Sequence, residues 1–571
     1  MLSNRDVAQV LDDIGDMLEI VGENLFRVRA HHRAAESVRS ATEDVNVLAR
    51  EARLTDLPAV GASLAERITE LVDTGQMAYY NDLKEQVSPR VLELMRVPGL
   101  GPKKAKLLYD ELGVTTIDEL LDAARGQRIR VLPGMSAKTE ENIISGIELV
   151  RTGQERMLLS EAYPLATRLV EALRATASVE RADFAGSLRR MKETIGDIDI
   201  LAASVNPAAV TSQFTTDPSV ARVLALGDTK ASILTTTGLQ VDLRVVAPAE
   251  YGSALQYFTG SKEHNIRLRD LAKRRGLKIN EYGIFDVETG RRIGGETEAE
   301  IYAAMDLEYM APELREDHGE IDAAAARTLP AVVTLADVRG DLQTHSTWSD
   351  GLNSVQEMAE TARELGYEYL ALTDHAEKLK IAGGMTSADI TARRRVIDEV
   401  NSKMSGITVL NGVELNIDGE GDIDYSPAIL REFDVRLGAI HSGFGQPREQ
   451  IMRRLRRAME NKYIQIIAHP TGRIIGKRNP YDVDIEALLD GAAATGTALE
   501  LNAFPNRLDL KDDNAREAKK RGVKMSLGTD AHMTTHLSYM MYGVAVARRA
   551  WLEPQDIVNT YPLKKILAAL K

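Results

Sequence analysis

The spacing of apolar residues divides the chain into regions with different predicted structures. From residue 1 to about 150, apolar residues recur every three or four positions between turns that contain Pro and Gly, which predicts helices. From 151 to 248, apolar runs such as IDIL (198–201) and LQVDLRVV (239–246) alternate with helical stretches. This alternation predicts an α/β unit.

Beyond residue 339 a second pattern recurs, in which an apolar run ends in a histidine or an acid and is followed by helical periodicity. YLALTDH, YIQIIAHP and VKMSLGTDAH are examples. Successive β/α units with polar residues at the strand ends predict a barrel-like fold with its chemistry at one end. Residues 249–318 form a mixed, locally basic segment, and residues 319–338 are the best linker candidate.

Composition and charge limit the possible functions. At 571 residues the chain is too long for one hydrophobic core, so several domains are expected. It has no cysteine, so a bound metal must be held by His, Asp and Glu. The net charge of -14 argues against a broad basic surface, so DNA contacts would be local. The acidic start and the lack of a long apolar run predict a cytoplasmic protein without a membrane segment.

Three segments of the helical region share an apolar residue, a Gly-containing turn and a helix start, at 57–68, 97–108 and 132–143. Backbone N–H groups at such a turn can hold a phosphate without any lysine, although an ordinary helical hairpin has the same pattern. In the third copy Ser136 replaces the second glycine, so a purely structural hairpin is equally consistent there. The candidate DNA-binding residues are Gly61, Gly99, Gly101, Lys103 and Lys104.

Three aspartates have the pattern of a nucleotidyl-transfer site. Asp197 and Asp199 are two positions apart, so on a strand they point to one face, and Asp242 stands on another apolar strand. Three such carboxylates can bind the two divalent cations that phosphoryl transfer requires. Just upstream, AGSLRR could hold a triphosphate through a turn and an arginine; its candidate residues are Gly186, Ser187 and Arg190.

The ordered set of motifs from residue 1 to about 318 resembles the family X (DNA polymerase beta-like) DNA polymerases. The set comprises GENLFRVRAHHRAA, VPGLGPKKA, AGSLRR, GDIDIL, VDLRVV, YFTGSKEHN and INEYGIF. The resemblance implies template-directed synthesis with Mg or Mn on gapped or primer-template DNA, from deoxynucleoside triphosphates. The segment 262–278 adds seven Lys and Arg against two acids, a local basic face beside the expected site.

The resemblance also implies roles for individual residues. Asp197 and Asp199 would bind both metals, while Asp242 would bind the catalytic one and activate the primer 3'-hydroxyl. The remaining roles would be triphosphate binding by Ser187 and Arg190, sugar sensing by Tyr257, Phe258 and Gly260, a minor-groove contact by Asn265 and a template contact by Arg269.

One departure from the family concerns a second activity. Family members that act as deoxyribose phosphate lyases carry a lysine nucleophile just after the first hairpin, where this chain has Arg67. A guanidinium stays protonated and is no amine nucleophile, so weak or absent lyase activity is expected. Arg27, Arg29 and His31 could still bind a 5'-phosphate, although a helix surface explains them nearly as well.

Six of the ten histidines lie beyond residue 340, and five of these end or closely follow apolar runs. Together with the acidic residues at the ends of similar apolar runs, these histidines resemble the PHP (polymerase and histidinol phosphatase) domain over residues 339–571. The resemblance implies a distorted β/α barrel with a trinuclear site for Zn or Mn. The implied metal sites are His345, Glu414 and Asp530; Glu414, His441 and His469; and Asp350, His375 and His532. The family motif begins His-x-His, and Gln343 stands at the first position, so the first site is expected to bind metal weakly or to prefer manganese. His536 fits no motif and is expected on the surface.

The barrel is expected to hydrolyse phosphoesters, and chains that join the two domains imply a 3'-5' exonuclease. Arg473, Arg478 and Asn502, on predicted loops near the motifs, could bind a DNA phosphate. Two alternatives stay open: a DNA-end-binding scaffold with degenerate sites, and a small-molecule phosphatase of the histidinol phosphatase type. The expected protein is a monomer active in repair gap filling. Its expected domains are a helical lyase-like domain (1–85), helix-hairpin-helix fingers (86–150), an α/β nucleotidyltransferase palm (151–248), a mixed α+β thumb (249–318), a linker (319–338) and the PHP barrel (339–571).

Overall fold

The computed structural model describes residues 2–41, 43–95, 97, 100–154 and 156–570. Gly99, one of the predicted DNA-binding residues, lies outside these described residues. The N-terminal region is helical as predicted, and one apolar cluster from Val7 to Ile147 forms its core. Its helices are α1 (Asn4–Ile20), α2 (Leu25–Ser40), α3 (Val45–Arg50), α4 (Ala62–Thr74), α5 (Ala78–Gln86), α6 (Pro89–Met95), α7 (Pro102–Leu112), α8 (Ile117–Arg125) and α9 (Ala137–Gln154).

The palm contains a five-stranded sheet with the strand order β2-β4-β7-β6-β5, and β1 pairs with β3 beside it. Both apolar runs noted in the sequence are strands of this sheet, β4 and β7. The elements are β1 (Met157–Leu158), α10 (Leu159–Arg174), β2 (Arg181–Phe184), α11 (Gly186–Arg189), β3 (Thr194–Ile195), β4 (Asp197–Ala203), α12 (Pro207–Phe214), β5 (Val220–Leu226), β6 (Lys230–Thr235) and β7 (Gln240–Val246).

The thumb combines helices with a three-stranded antiparallel sheet of order β10-β9-β8. Its elements are α13 (Tyr251–Thr259), α14 (Lys262–Arg274), β8 (Leu277–Asn280), β9 (Gly283–Asp286), β10 (Arg292–Gly294), α15 (Glu298–Ala303) and α16 (Glu320–Ala326). Helix α16 lies inside the stretch proposed as a linker, and its Ile321 and Ala324 are buried in the thumb core. The connection to the next domain is therefore shorter than the Ala and Pro content alone indicates.

The C-terminal region is a parallel seven-stranded sheet in the order β11 to β17 that curls into a nearly closed barrel, as predicted. A parallel bridge between Thr344 and Ala531 brings its first and last strands together. The strands are β11 (Gly340–Thr344), β12 (Tyr369–Leu372), β13 (Thr408–Asn416), β14 (Val435–Ala439), β15 (Ile466–Ile467), β16 (Ala498–Asn502) and β17 (Met525–Gly528). The helices are α17 (Val355–Glu364), α18 (Ser387–Lys403), α19 (Pro427–Leu430), α20 (Arg448–Glu460), α21 (Ile485–Thr495), α22 (Asp512–Lys520), α23 (Met540–Arg549) and α24 (Leu563–Ala569).

The palm and the barrel pack against each other, because their buried apolar residues belong to one continuous cluster. Arg549 of α23 joins three regions: it pairs with Asp512 of the barrel and Glu316 of the thumb, and it donates to the backbone oxygen of Arg190 in the palm. Among the helices of the described residues, none has the length and apolar character needed to cross a membrane.

Candidate active sites in the palm and the barrel

The three palm aspartates lie together on two neighbouring parallel strands. Strand β4 pairs with β7 so that Asp199 stands directly opposite Asp242 and Asp197 opposite Gln240. Along β4, Asp197 and Asp199 share the accessible face, whereas the alternate residues Ile198 and Ile200 are buried in the palm core. Period-two alternation thus brings all three carboxylates to one edge of a small cleft.

The carboxylates repel one another. Burial, with the neighbouring Asp197 and Asp242, raises the pKa of Asp199 from 3.8 to about 6. Asp242 is oriented by the Ser232 hydroxyl and by the Gln240 amide, which donates at 3.0 Å. Three carboxylates held this close together repel one another, and the charge of bound divalent cations would relieve that repulsion. The arrangement is therefore suited to binding such ions.

The turn that precedes these strands passes very close to them. Gly186 begins α11 at φ +62°, a backbone conformation that favours glycine. A Cβ added there would also lie 2.5 Å from Asp199 Oδ2, so both the backbone conformation and the limited space favour glycine. Ser187 follows on the same turn. The Arg190 guanidinium faces the thumb, where Nε donates to Glu316 at 3.0 Å and Nη1 to the backbone oxygen of Thr259. The predicted triphosphate-binding arginine is therefore already paired in this structure.

The predicted nucleotide-selecting residues lie at the junction of α13 and α14. The Tyr257 and Phe258 rings meet edge to face at 5.2 Å, and the Arg244 guanidinium lies 4.7 Å from the Phe258 ring centre. Gly260 follows at the end of α13 with φ +72°. Asn265 is buried and donates to the backbone oxygen of Tyr257 at 2.7 Å, so it is not free to reach a base here. Arg269, by contrast, is exposed.

Two of the three helical hairpins have the same turn geometry. Gly61 and Gly101 cap α4 and α7 with φ -78°, ψ 171° and φ -77°, ψ 171°, and the space beside both is open. Lys103 and Lys104 are exposed next to Gly101. In the third hairpin the Ser136 hydroxyl accepts the backbone N–H of Thr139 at 3.2 Å. At the equivalent positions of the first two turns, Leu64 N–H and Lys104 N–H donate instead to the backbone oxygen of the capping glycine at 3.0 Å, so only the third turn uses a side-chain cap.

The residues considered for a 5'-phosphate gather around Tyr79. The Arg67 guanidinium lies 3.7 Å from the Tyr79 ring centre, and Arg27 donates to the Tyr79 hydroxyl at 3.0 Å. The His31 ring is buried and stacks on the same tyrosine at 6.2 Å. Arg29 lies apart from them, 5.9 Å from the Phe26 ring.

In the barrel, the residues expected to bind metal all lie at the C-terminal ends of the parallel strands, around Glu414. The Nε2 atoms of His441 and His469 both lie 2.9 Å from Glu414 Oε1, and His345 Nε2 lies 3.2 Å from Asp530 Oδ1. Three groups have ligand atoms close enough to share an ion: His345, Glu414 and Asp530; His375, Glu414 and His441; and His345, Asp350, His375 and His532.

The chemistry of this cluster fits metal ions. Burial alone would raise the pKa of Glu414, but His375 and His441 hold it well below its usual range. Burial lowers the pKa of His375 to about 4, which favours the neutral imidazole that binds metals. Both ring nitrogens of His345 are buried without a hydrogen-bond partner among the described residues. Unpaired buried nitrogens are costly unless a ligand satisfies them.

Gln343 contributes a donor where the family has a histidine. It is fully buried in β11, and its amide donates to Glu414 Oε2 at 3.0 Å. The carbonyl oxygen of the same amide has no partner among the described residues. Nearby, the buried Glu500 accepts the His469 backbone N–H at 2.6 Å. Burial, with Asp530 and Glu414 nearby, holds the pKa of Glu500 well above its usual range.

Other side chains fix the orientation of the ligands, and the sequence patterns did not reveal them. His441 Nδ1 bonds to Asn416 at 2.7 Å, which directs Nε2 at Glu414. Asp374 is buried beside His375, where it accepts Ser346 N–H and pairs with the fully buried Arg393, both at 2.7 Å. The Asp of LTDH was visible in the sequence, but its partner Arg393 is 19 residues away on α18 and no spacing rule joins them.

Three expectations about the barrel need correction. His536 is not a surface residue: its side chain is 1% exposed, stacks on Tyr539 and lies 3.3 Å from Glu36 of the N-terminal region. Asn502 is not on a loop but ends β16, buried, with its amide donating to Glu500 and Asp530 at 3.2 Å each. Arg473 pairs with Glu193 of the palm at 2.7 Å, so it serves the contact between the domains.

Comparison with known families agrees with the predicted identity of both the polymerase-like region and the C-terminal barrel. Residues 2–77 match the helix-hairpin-helix domain, 91–148 the SAM-like helix-hairpin-helix tandem, 254–316 the DNA polymerase beta thumb and 341–503 the PHP domain. The chain belongs to the family X DNA polymerases that carry a C-terminal PHP domain.

Its full length aligns with the full length of a relative. It is 37% identical over 572 residues to the DNA polymerase/3'-5' exonuclease PolX of Bacillus subtilis, with all of both chains covered. The barrel alone also resembles smaller proteins. A probable phosphatase of Syntrophotalea carbinolica is 31% identical over 230 residues, which is 38% of this chain and 90% of the relative. A probable phosphatase of Thermoanaerobacter is 29% identical over 231 residues, 38% of this chain and 89% of that relative.

Proposed function

We propose that this chain adds deoxynucleotides to a primer 3' end in the palm and removes nucleotides from a 3' end in the barrel. The observation that carries the proposal is the register of β4 and β7, which sets Asp199 beside Asp242 with Asp197 on the same face. The name of the Bacillus subtilis relative, DNA polymerase/3'-5' exonuclease PolX, states both activities and supports the proposal. The substrates would be deoxynucleoside triphosphates on gapped or primer-template DNA.

In the palm, Asp197, Asp199 and Asp242 would hold two divalent ions, and an all-oxygen ligand set suits Mg or Mn. Such ions neutralise the charge that develops on a transferred phosphoryl group. Asp242 would accept the proton of the primer 3'-hydroxyl, and Ser187 would bind the triphosphate. Arg190 would join it by exchanging Glu316 for the triphosphate, which links nucleotide binding to a movement of the thumb.

The residues in the palm and thumb divide the recognition of the substrates. Tyr257, Phe258 and Gly260 would line the sugar of the incoming nucleotide. Asn265 would contact its base and Arg269 the template strand. The DNA backbone would bind at the hairpin turns of Gly61 and Gly101, with Lys103 and Lys104 adding charge beside the second turn.

In the barrel, the eight His, Asp and Glu ligands would hold Zn or Mn, since imidazole with carboxylate suits both. Metal binding there is supported by His345, whose buried ring nitrogens make no hydrogen bond among the described residues although Nε2 lies 3.2 Å from Asp530, and by the lowered pKa of His375. The metals would lower the pKa of water and polarise a phosphodiester, which gives hydrolysis at the 3' end. We place the protein in the cytoplasm as a monomer that fills gaps during base-excision or end-joining repair.

The polymerase assignment is tested on a one-nucleotide gap with Asp242→Asn. The variant should lose primer extension, because a carboxylate at the metal site becomes a neutral amide. Asp228→Asn, a change at an exposed aspartate between β5 and β6 of the same sheet, should extend like the wild type. Equal extension by Asp242→Asn and wild type would disprove the site. A scaffold with degenerate sites would bind the gapped DNA but extend it in neither protein.

The barrel is tested with Glu414→Gln, because this one carboxylate contacts ligands of every group. The variant should lose metal by elemental analysis and lose degradation of a 3' end, while primer extension persists. Turnover of histidinol phosphate is measured in parallel. Faster turnover of that small phosphoester than of a DNA 3' end would favour the small-molecule phosphatase alternative; the relatives that match only the barrel are named probable phosphatases.

A further inference from the structure

We propose that Glu36 of the N-terminal helical region positions a metal-ligand loop of the barrel, and that it acts through the buried His536. The loop follows β17 and carries two of the proposed ligands, Asp530 and His532. Because this loop belongs to the proposed metal site, the inference rests on the function given above for the barrel. Glu36 would be a positioning residue, since it acts through another side chain and not on the metals.

The His536 ring connects the two regions through its two nitrogens. Nδ1 accepts the backbone N–H of His532 at 3.3 Å. The ring proton must then be on Nε2, which lies 3.3 Å from Glu36 Oε1 and can donate to it. A chain of polar contacts therefore runs from helix α2 to the backbone of a proposed metal ligand.

The loop that receives this contact has an unfavourable backbone conformation. Asp530 has φ +55°, in the left-handed region that residues other than glycine seldom adopt. His532 Nδ1 bonds to the backbone oxygen of Asp530 at 2.7 Å, which directs Nε2 toward Asp350 Oδ1, 3.5 Å away. The backbone of the loop thus sets the direction of the imidazole, and a shift of this backbone would move a metal ligand.

The ring of His536 is locked in the orientation that reaches both partners. Its side chain is 1% exposed, it stacks on Tyr539 with ring centres 4.9 Å apart, and it meets the edge of Phe504 at 5.1 Å. The removal of Glu36 would take an acceptor away from this buried ring, which costs free energy. The contact with the helical region therefore contributes to holding the ring, and with it the loop.

Glu36 is itself fixed within the helical region. Its Oε2 accepts Arg39 Nη1 at 2.7 Å from the next turn of α2, and Arg39 also pairs with Asp12 of α1. The other oxygen, Oε1, faces the barrel. The two oxygens thus divide their roles, one toward the helical region and one toward the barrel. The position of the helices is thereby coupled to the geometry of the metal site.

The test uses the full-length protein and compares substitutions on both sides of the contact. Glu36→Ala removes the acceptor, whereas Glu36→Gln keeps a carbonyl oxygen at the same reach. His536→Phe keeps an aromatic ring to stack but has no nitrogen, so it separates hydrogen bonding from packing. Glu43→Ala is the matched control, because Glu43 pairs with Arg53 inside the helical region at 3.0 Å.

Four properties are measured for each protein and for the double variant Glu36→Ala/His536→Phe. They are the dissociation constants of Zn and Mn by competition with a chelator, kcat and KM for degradation of a single-stranded oligonucleotide, primer extension on a gapped duplex, and the melting temperature. Metal affinity reports on the loop without any need for catalysis.

We expect Glu36→Ala and His536→Phe each to weaken the affinity for the most weakly bound ion about tenfold, the lower end of the ~10–100-fold range for groups that orient a metal ligand. The kcat for degradation should fall while KM stays unchanged, because no contact to the substrate is altered. The double variant should lose no more than either single variant, since both changes interrupt one path. Glu36→Gln should keep most of the affinity.

The proposal is overturned if Glu36→Ala binds metal as tightly as Glu43→Ala, or if the two single losses add up in the double variant. It is also overturned if His536→Phe keeps the wild-type affinity, because packing alone would then hold the loop. Parallel loss of primer extension and melting temperature would likewise overturn it, since Glu36 would then only support the fold. Absence of DNA degradation by the wild type would instead remove the exonuclease function, and the metal affinities would still decide the role of Glu36.

Discussion

Glu298 offers the sharpest quantitative prediction, because it holds the thumb to the palm through Arg189 and also pairs with the buried Arg315 of the thumb. It lies at the start of α15, 7% exposed, and pairs with Arg189 of the palm at 2.7 Å and with Arg315 at 2.6 Å. Arg315 is fully buried. Arg189 also donates to the Thr259 hydroxyl at 2.7 Å, next to the nucleotide-selecting turn. The substitution Glu298→Gln removes the negative charge and keeps the size of the side chain.

The magnitude follows from the pKa of Glu298. Burial alone would raise this pKa, but Arg315 and Arg189 lower it from 4.5 to about 2. A shift of this size corresponds to about 3 kcal/mol favouring the charged form in the folded thumb. Breaking a buried pair by removing one partner costs a similar ~3–5 kcal/mol. Because the pKa is lowered, the stabilisation is complete above pH 4.5 and is lost as the pH falls toward about 2.

The assay is hydrogen exchange of thumb amides in the full-length protein at pH 7 and at a series of pH values below 4.5. At pH 7, Glu298→Gln should lower the opening free energy of α14 and α15 by about 3 kcal/mol, and the difference should shrink as the pH falls from 4.5 toward about 2. The KM for the incoming nucleotide should rise, because Arg189 loses its anchor. Glu296→Gln, at an exposed position two residues earlier, serves as the control. Exchange in Glu298→Gln that matches this control at pH 7 would refute the reasoning.

Three further predictions concern single positions. Gly186→Ala should reduce primer extension at least about tenfold, since its Cβ would lie 2.5 Å from Asp199 Oδ2 at a positive φ; gapped-DNA extension measures this, and normal activity would contradict it. Gln343→His should increase barrel metal content in elemental analysis, because imidazole would replace an amide that now donates to Glu414; unchanged content would show that the position is no ligand. Because Arg67 is no amine nucleophile, wild type should give no borohydride-trapped DNA adduct, whereas Arg67→Lys should give some. Strong trapping by wild type would disprove the expected lack of lyase activity.

The sequence allowed the palm site to be predicted because strand alternation is local. A spacing of two positions at Asp197 and Asp199 fixes a shared face, and only the register of Asp242 had to come from the fold. The clustering of the eight proposed barrel ligands was predictable for a similar reason, since they lie near or just after the C-terminal ends of six strands, and parallel strands bring these ends together. In both sites, short-range patterns placed the charged side chains, and the topology assembled them.

Two of the expectations that failed, for His536 and Arg473, concern contacts between distant parts of the chain. His536 meets Glu36 across 500 residues, and Arg473 meets Glu193 across 280 residues. No local pattern distinguishes such a side chain from a solvated one, because its partner belongs to another domain.

These long-range contacts also show why the two active sites belong to one folded unit. Arg549 of the barrel is 4% exposed on its side chain, and it pairs with Glu316, the carboxylate that also holds Arg190. If Arg190 exchanges Glu316 for a triphosphate, as proposed, Glu316 would keep a partner in Arg549 at 2.9 Å and would not be left as an unpaired buried charge. The barrel would thereby lower the cost of freeing the palm arginine. A palm without the barrel would retain only the longer contact of Glu316 with Lys192, at 3.8 Å, which gives a physical reason for the two domains to share one chain.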